Sequence, residues 1–258
     1  MKRIVVKLGT GVLAEAHGSA LDPGQFQRLA GEFAELIADG HSCIVVSSAA
    51  VTAGISVFGL DRRPADLQSK QACASVGQPR LIRAFDSCLQ EHGLHAAQLL
   101  LTHDDIDSRK RRINARNTLD RLLSTRKVVP IINENDTVAV EELNFGDNDR
   151  LSAEVAILAD ADLLVILTTS DGVRDGDARV PLINDIDAAL TLVRPDKGPN
   201  SVGGMSAKLD AVHIAITGGV ETYIADGRLP GQIRSATERG NVGTRFPVPA
   251  SHSRKPLH

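Results

Sequence analysis

The sequence predicts an α/β protein whose parallel sheet is covered by helices on both faces, and three observations predict it. Short, near-continuous apolar runs such as RIVVKLG (3–9), CIVVSS (43–48) and DLLVILT (162–168) alternate with longer segments of helical periodicity. That is the pattern of strands buried from both sides by crossover helices. The chain has no Trp, one Tyr and six Phe, so its core must be built from Val, Ile, Leu and Ala, as where helices pack on a parallel sheet. At 258 residues with 42% hydrophobic content, it can bury a sizeable core, as one large domain or two small ones.

The elements follow in order. RIVVKLG is the first strand. LDPGQFQRLAGEFAELIADG (21–40) is a helix, with Asp22 placed to cap it, Pro23 at the first helical position and Gly40 past its end. Phe26, Leu29, Ala30, Phe33, Leu36 and Ile37 recur there at helical spacing. CIVVSS is the second strand. Helices are expected over parts of 65–76 and 79–92. HAAQLLL (95–101) is the third strand, 114–124 a helix, and KVVPII (127–132) the fourth strand. An acidic loop leads to a helix near 151–159 and the strand DLLVILT. VPLIND (180–185) is a short strand, 205–218 a helix, and VETYIAD (220–226) the last strand. No internal repeat or low-complexity linker appears. We expect one domain over 1–245 and a flexible tail over 246–258, where the sequence is Pro-rich and polar.

Charge and cysteine usage narrow the function. A net charge of -3 gives no reason to expect nucleic acid or an anionic membrane as partner. SRKRRINAR (108–116) is the one basic cluster; it reads as a solvated helix start, with an anion or subunit contact as the other reading. Cys43, Cys73 and Cys88 lack paired ligand spacing, and Cys43 belongs to an apolar run. An odd count without a signal peptide fits a reducing compartment, and no run reaches membrane-spanning length. A cytoplasmic protein is expected.

In such folds ligands collect at the carboxyl ends of the strands. Four segments there are informative. KLGTGVL follows the first strand, with Lys7 at the strand end and glycines at 9 and 11 that let backbone approach a ligand. SSAAVTAG (47–54) opens a helix with small residues, and free N–H groups at a helix start can hold an anion. NSVGGMSAK (200–208) pairs two glycines with Lys208 in a first helical turn. Behind the fourth strand, INENDTVAVEELNFGDND (132–149) releases Glu134, Asp136, Glu141, Glu142, Asp147 and Asp149 among Asn133, Asn135, Asn144 and Asn148. Neither the Walker pattern nor the dinucleotide-binding glycine pattern is present. Two glycine-bearing loops, two lysines and an acidic cluster in this order still point to phosphoryl chemistry, where the protein supplies positioning and positive charge. Taken singly, each has an ordinary reading: a connecting turn, a surface lysine, or Asp149 as a helix cap.

VVKLGTGVL, VVSSAAVTAG, KQACASVGQPRLI, QLLLTHDDI, NARNTL, PIINENDTVAV, FGDNDRLSAEVAILADADLLVILT and GGMSAKLDAV stand in the order seen in the amino acid kinase family. They resemble the branch of it that phosphorylates the γ-carboxylate of glutamate, and the resemblance runs from about Arg3 to Thr244. It implies a three-layer αβα sandwich with a mainly parallel central sheet. It implies ATP and glutamate as substrates, with an acyl phosphate product that a downstream reductase carries toward proline. Mg2+ would come with ATP, held mainly by phosphates and water rather than by a protein cage. The resemblance further implies a homo-oligomer. Residue by residue, Lys7 and Lys208 match the catalytic lysines on the transferring phosphate, and Asp149 matches the acid that orients them. Ser48, Ala49, Asp136, Asp147 and Asn148 match the amino-acid side. Gly9, Thr10, Thr168, Thr169, Gly203, Gly204 and Met205 match the nucleotide side, together with both lysines. Glu134 reads either as part of the site or as a loop acceptor; Asn114 and Arg116 read as scaffold or pocket frame.

The sequence departs from the family pattern at Ala49 (usually Gly), Thr169 (usually Asp), Arg174 (usually aromatic), Ser201-Val202 (usually Gly-Thr) and Gly11 (usually Ser). The C-terminal RNA-modification-type domain of many bacterial relatives is not expected here. Three functions follow: a kinase for glutamate, a paralogue acting on a related amino-acid carboxylate, or a weakly catalytic amino-acid or nucleotide binder. Both lysines and the GDND block are present, which favours the kinases.

Overall fold

Strand β1 (Arg3–Leu8) occupies the middle of the sheet and alternates its side chains between two layers. The protein was analysed as a computed structural model, which describes residues 1–15, 18, 20–139, 147–192 and 204–252, without the side chains of 147, 191 and 192. After β1 come α1 (Thr10–Leu13), α2 (Pro23–Ala38), β2 (Ser42–Ser47), α3 (Ala50–Ile55), α4 (Leu67–Gln90) and β3 (His95–Leu101). Then follow α5 (His103–Asp107), α6 (Arg109–Leu123), β4 (Val128–Glu134), α7 (Asp147–Leu158), β5 (Leu163–Thr168) and the hairpin β6 (Arg174–Asp175) and β7 (Ala178–Arg179). The chain continues through α8 (Ile186–Leu192), α9 (Met205–Thr217), β8 (Glu221–Asp226), α10 (Gln232–Thr237) and β9 (Thr244–Phe246).

The sheet order is β3-β4-β2-β1-β5-β8-β9, parallel throughout except for the antiparallel β8–β9 pair. Ile4, Val6 and Leu8 of β1 pack with Phe26, Leu29 and Phe33 of α2 and with Leu81 and Phe85 of α4. Val5 faces the other layer, with Leu119 of α6, Leu151 and Val155 of α7 and Val212 of α9. Both faces of the sheet are therefore covered, as the three-layer expectation requires. Helix α2 forms as expected: the Asp22 carboxylate accepts from the Gly24 and Gln25 N–H groups, and Gly40 just beyond the helix takes φ 87°.

Several expectations differ from the structure. The two helices expected around Pro79 are one, α4. An interior proline costs about 3 kcal/mol, and the burial of Cys73, Ala74, Leu81, Phe85 and Leu89 along one face offsets it. Gly54 of α3 and Gly77 of α4 make the contact between those helices a backbone contact. A Cβ on Gly77 would overlap the Ala50 carbonyl oxygen, and one on Gly54 would overlap that of Cys73. VPLIND is not a strand: Pro181 has no N–H to give, and the segment makes a single bridge, between Leu182 and Arg245. VETYIAD is not the last strand, because β9 pairs with it. The boundary expected at 245/246 falls inside β9, where Phe246 is fully buried. Helices α6 and α7 also begin several residues before the positions expected for them. Among the described residues no helix is long and apolar enough to cross a membrane.

Candidate active site

The alternation of β1 places Lys7 on the same face as Val5, toward α7 and α9. Asp149 is the third residue of α7 and Lys208 the fourth of α9, so the first turns of two helices converge on the end of β1. The Lys7 Nζ lies 2.6 Å from Asp149 Oδ1, an ion contact short of good hydrogen-bond alignment. The Lys208 Nζ donates to Asp149 Oδ2 at 3.3 Å. Lys7, Asp149 and Lys208 are 6%, 1% and 5% exposed. One carboxylate with an oxygen for each ammonium fixes both lysines in a site nearly closed to water, where charge acts strongly. Positive helix ends reinforce it.

The loop after β1 is bedded on the end of β5. The Gly9 N–H donates to the Leu167 carbonyl at 3.2 Å, and a Cβ at Gly9 would come within 3.8 Å of the Lys7 Nζ. Backbone here lies beside the Lys7 ammonium. Thr10 opens α1, and a Cβ on Gly11 would press on the Thr169 methyl at 2.7 Å. The Thr168 carbonyl accepts from the Gly227 N–H and the Thr169 carbonyl from Arg228 Nη2, each at 2.8 Å. Asp226 holds that guanidinium through both carboxylate oxygens. Gly204 caps α9 and Met205 begins it. Gly203, with Ser201 and Val202, lies outside the described residues, as do Glu141, Glu142 and Asn144. Arg174 pairs with Asp171 at 3.0 Å on the exposed hairpin.

Past β2, the Ser48 N–H donates to the Leu8 carbonyl at 3.1 Å, which ties this strand end to β1. Ala49 then takes φ 79° and ψ 7°, a left-handed conformation, at the N-cap of α3. At the end of β4, Asn133 and Glu134 are buried, and past it Asp136 lines a cavity of about 250 Å³ together with Gln78, Gln98 and Glu134. Asp136 also faces Arg63; burial lowers the Arg63 pKa, and the nearby carboxylate works against that shift. Asn148, the second residue of α7, has a buried Oδ1 with no hydrogen-bond partner among the described residues. Asp147 begins the same helix.

The structure thus brings Lys7, Asp149 and Lys208 into direct contact and sets Gly9, Thr10, Thr168 and Thr169 at one adjoining wall. Ser48, Ala49 and Asp136 belong to segments on the α3–α4 side. Sequence reasoning missed Gln78, whose buried amide bonds Asn133, and Arg228, which braces Thr169. An amide or an arginine in a helix or loop carries no periodic signal that could have marked either one.

Two lysines share one buried carboxylate at the carboxyl edge of the parallel sheet. Residues 2–226 match the amino acid kinase family, and the chain belongs to that family. Within it, the chain is 43% identical over 253 residues to the glutamate 5-kinase of Myxococcus xanthus, covering 95% of this chain and 66% of that protein. It is 42% identical over 264 residues to the glutamate 5-kinase of Pelobacter propionicus, covering 99% and 70%. The chain therefore spans about two thirds of the length of these relatives. A solved N-acetylglutamate synthase from Neisseria gonorrhoeae, in complex with coenzyme A and N-acetyl-glutamate, superposes with a TM-score of 0.70 over 96% of this chain and 60% of its own. At 14% identity that likeness concerns the fold alone.

Proposed function

We propose that the protein phosphorylates the γ-carboxylate of L-glutamate with ATP, forming glutamyl 5-phosphate, the first step of proline biosynthesis. The observation that carries this reading is Asp149 held between Lys7 and Lys208. The glutamate 5-kinase relatives across 95–99% of the chain support the choice of acceptor. A γ-carboxylate oxygen attacks the γ-phosphorus, the bond to the bridging oxygen of ADP breaks, and the electron pair leaves on ADP. The acceptor is already ionised, so the step needs no general base. What it needs is positive charge on the equatorial phosphate oxygens and alignment, and the two lysines supply the charge. Asp149 keeps them apart and aimed.

On the acceptor side, Asp136 offers a carboxylate to the substrate ammonium, and Asn148 and Ser48 offer polar groups of both kinds. Mg2+ belongs to the proposal as part of the nucleotide complex, with phosphate oxygens and water as its ligands; when bound it neutralises polyphosphate charge. Among the described residues no group of three His, Cys, Asp or Glu side chains is placed to hold a metal ion. Cytoplasmic location, assembly with further copies, and delivery of the labile acyl phosphate to a reductase complete the reading.

Ala49, Thr169 and Arg174 support a second reading, a paralogue acting on a related amino-acid carboxylate. A hydroxamate trap with ATP, Mg2+ and a panel of amino acids tests both. Acyl phosphate with glutamate as the best acceptor is expected. Turnover confined to another acid would establish the paralogue, and binding without turnover would leave a regulator.

A further inference from the structure

We infer that Gln78, on α4, is a positioning residue for the acceptor amino acid, which sets the separation of the two segments that hold it. The inference rests on the reading above, in which Ser48 and Asp136 bind that substrate. Gln78 is 8% exposed and makes two amide contacts. Its Oε1 accepts from Asn133 Nδ2 at 2.9 Å, and its Nε2 donates to Gln98 Oε1 at 3.0 Å. Asn133, itself 1% exposed, uses its Oδ1 to accept the Glu134 backbone N–H at 2.9 Å. The polarity of the chain is thereby fixed from end to end. Gln98 can accept only if Gln78 donates, Gln78 then presents its oxygen to Asn133, and Asn133 presents its own to the backbone. The last link lies at the end of β4, two residues before Asp136.

The neighbouring residue binds the other segment. Gly77 meets the Ala50 carbonyl so closely that no Cβ fits between them, and Ala50 directly follows Ser48 and Ala49. One dipeptide of α4 therefore touches the 48–50 turn through its backbone and the 133–136 segment through its side chain. Helix α4 acts as a spacer between the two walls, and its length from 67 to 90 makes the spacer stiff. A buried amide could serve stability alone, but that role would not require one end of the relay to finish on the backbone of the strand end that leads into Asp136.

The test is steady-state kinetics and glutamate titration calorimetry on the full chain and three variants. Gln78→Met keeps the volume and removes both contacts; it should raise the KM for glutamate roughly tenfold, the equivalent of one lost buried polar contact, with the KM for ATP within about twofold. Gln78→Glu keeps the acceptor for Asn133 but buries a carboxylate in the cavity that Glu134 and Asp136 also line, so it should raise the glutamate KM as Gln78→Met does. Should Gln78→Met fail to fold, Gln98→Leu at the exposed end removes the outer anchor and should raise the glutamate KM alone, by about threefold. A merely structural Gln78 would lower Tm and leave both KM values alone, or shift both alike; either result overturns the inference. A wild type that neither binds nor phosphorylates glutamate would overturn the functional reading first and this inference with it.

Discussion

Lys7 and Lys208 reach opposite oxygens of the same carboxylate, Asp149, from a strand and a helix 201 residues apart in sequence. Removing either ammonium leaves the other still anchored, whereas removing the acid leaves two buried ammoniums facing each other. Lys7→Ala and Lys208→Ala should each lower kcat by roughly 10²–10³, the usual cost of one charge-stabilising donor, with glutamate binding changed much less. Asp149→Asn should in addition lose about 3 kcal/mol of stability, because buried charge is left without its counter-charge. Steady-state rates and urea unfolding read the two effects separately. Normal turnover in either lysine variant would remove that lysine from the mechanism.

Asn148 carries a buried amide oxygen with no partner among the described residues, a costly arrangement unless a ligand completes it. Asn148→Ala should raise the KM for the amino acid by roughly tenfold and that for ATP far less, since the ammonium is the donor such an oxygen waits for. Equal changes in both constants would mean that Asn148 shapes the loop and does not contact substrate.

Ala49 has φ 79°, where a methyl side chain crowds the backbone. This strain costs about 1–2 kcal/mol in an alanine and little in a glycine. Ala49→Gly should therefore stabilise the protein by about 1 kcal/mol, less the entropy that glycine loses on folding. The change should raise glutamate-dependent acyl phosphate formation if another acid is the native acceptor, and leave it nearly unchanged if glutamate is. Unfolding midpoints and the hydroxamate trap decide this. A fall in stability would show that the Ala49 methyl packs better than its backbone strain costs.

His103 at the start of α5 contacts Glu154 of α7 at 2.8 Å, and Arg150 holds the other oxygen of Glu154 at the same distance. The His103 pKa is raised from 6.5, chiefly by its hydrogen bond to Glu154 and against partial burial, with Glu134 also raising it and Arg150 lowering it. A raised histidine pKa stabilises fully below the unfolded value of 6.5 and loses that contribution as pH rises through the folded value. Burial works to raise the Glu154 pKa, but hydrogen bonds from His103 and Arg150 outweigh it and leave the pKa below 4.5. That contribution is present above 4.5 and lost as pH falls through the folded value. The pair is therefore strongest between these limits. Melting curves of wild type and His103→Gln at about pH 6 and about pH 8 should differ more at the lower pH. An equal gap at both would exclude a charged His103 from the folded state's stability.

Much of the fold was legible because its strands are apolar runs such as CIVV and LLVIL, and its first long helix carries cap, proline and terminal glycine in order. Helix α4 was not, because the rule that breaks helices at proline is local and the burial that carries the helix past Pro79 is tertiary. Strand β9 escaped because three residues beside prolines have no period to read; its place comes from pairing with β8 and from Thr244, which accepts from the Val173 N–H and donates to the Val180 carbonyl. At the site, Lys7, Asp149 and Lys208 were legible through the order of their motifs. Their shared geometry was not, since it depends on which face of β1 carries Lys7. The left-handed turn at Ala49 was hidden because nothing local asks an alanine to adopt it.

The position of β1 has a consequence for how the chain is made. Synthesis makes β1 before either of its neighbours, and β2 soon covers one side, Ile4 pairing with Cys43; the other neighbour, β5, supplies Leu163 opposite the same residue. At translation rates of about 5–20 residues per second, that second partner emerges roughly ten to thirty seconds later. During this interval the central strand of the sheet carries an open row of N–H and C=O groups, which any other nascent strand can occupy. Yield in a fast-translating host should therefore be limited by collisions between half-made chains, and slower synthesis or a chaperone that shields the β1–β2 segment should raise it.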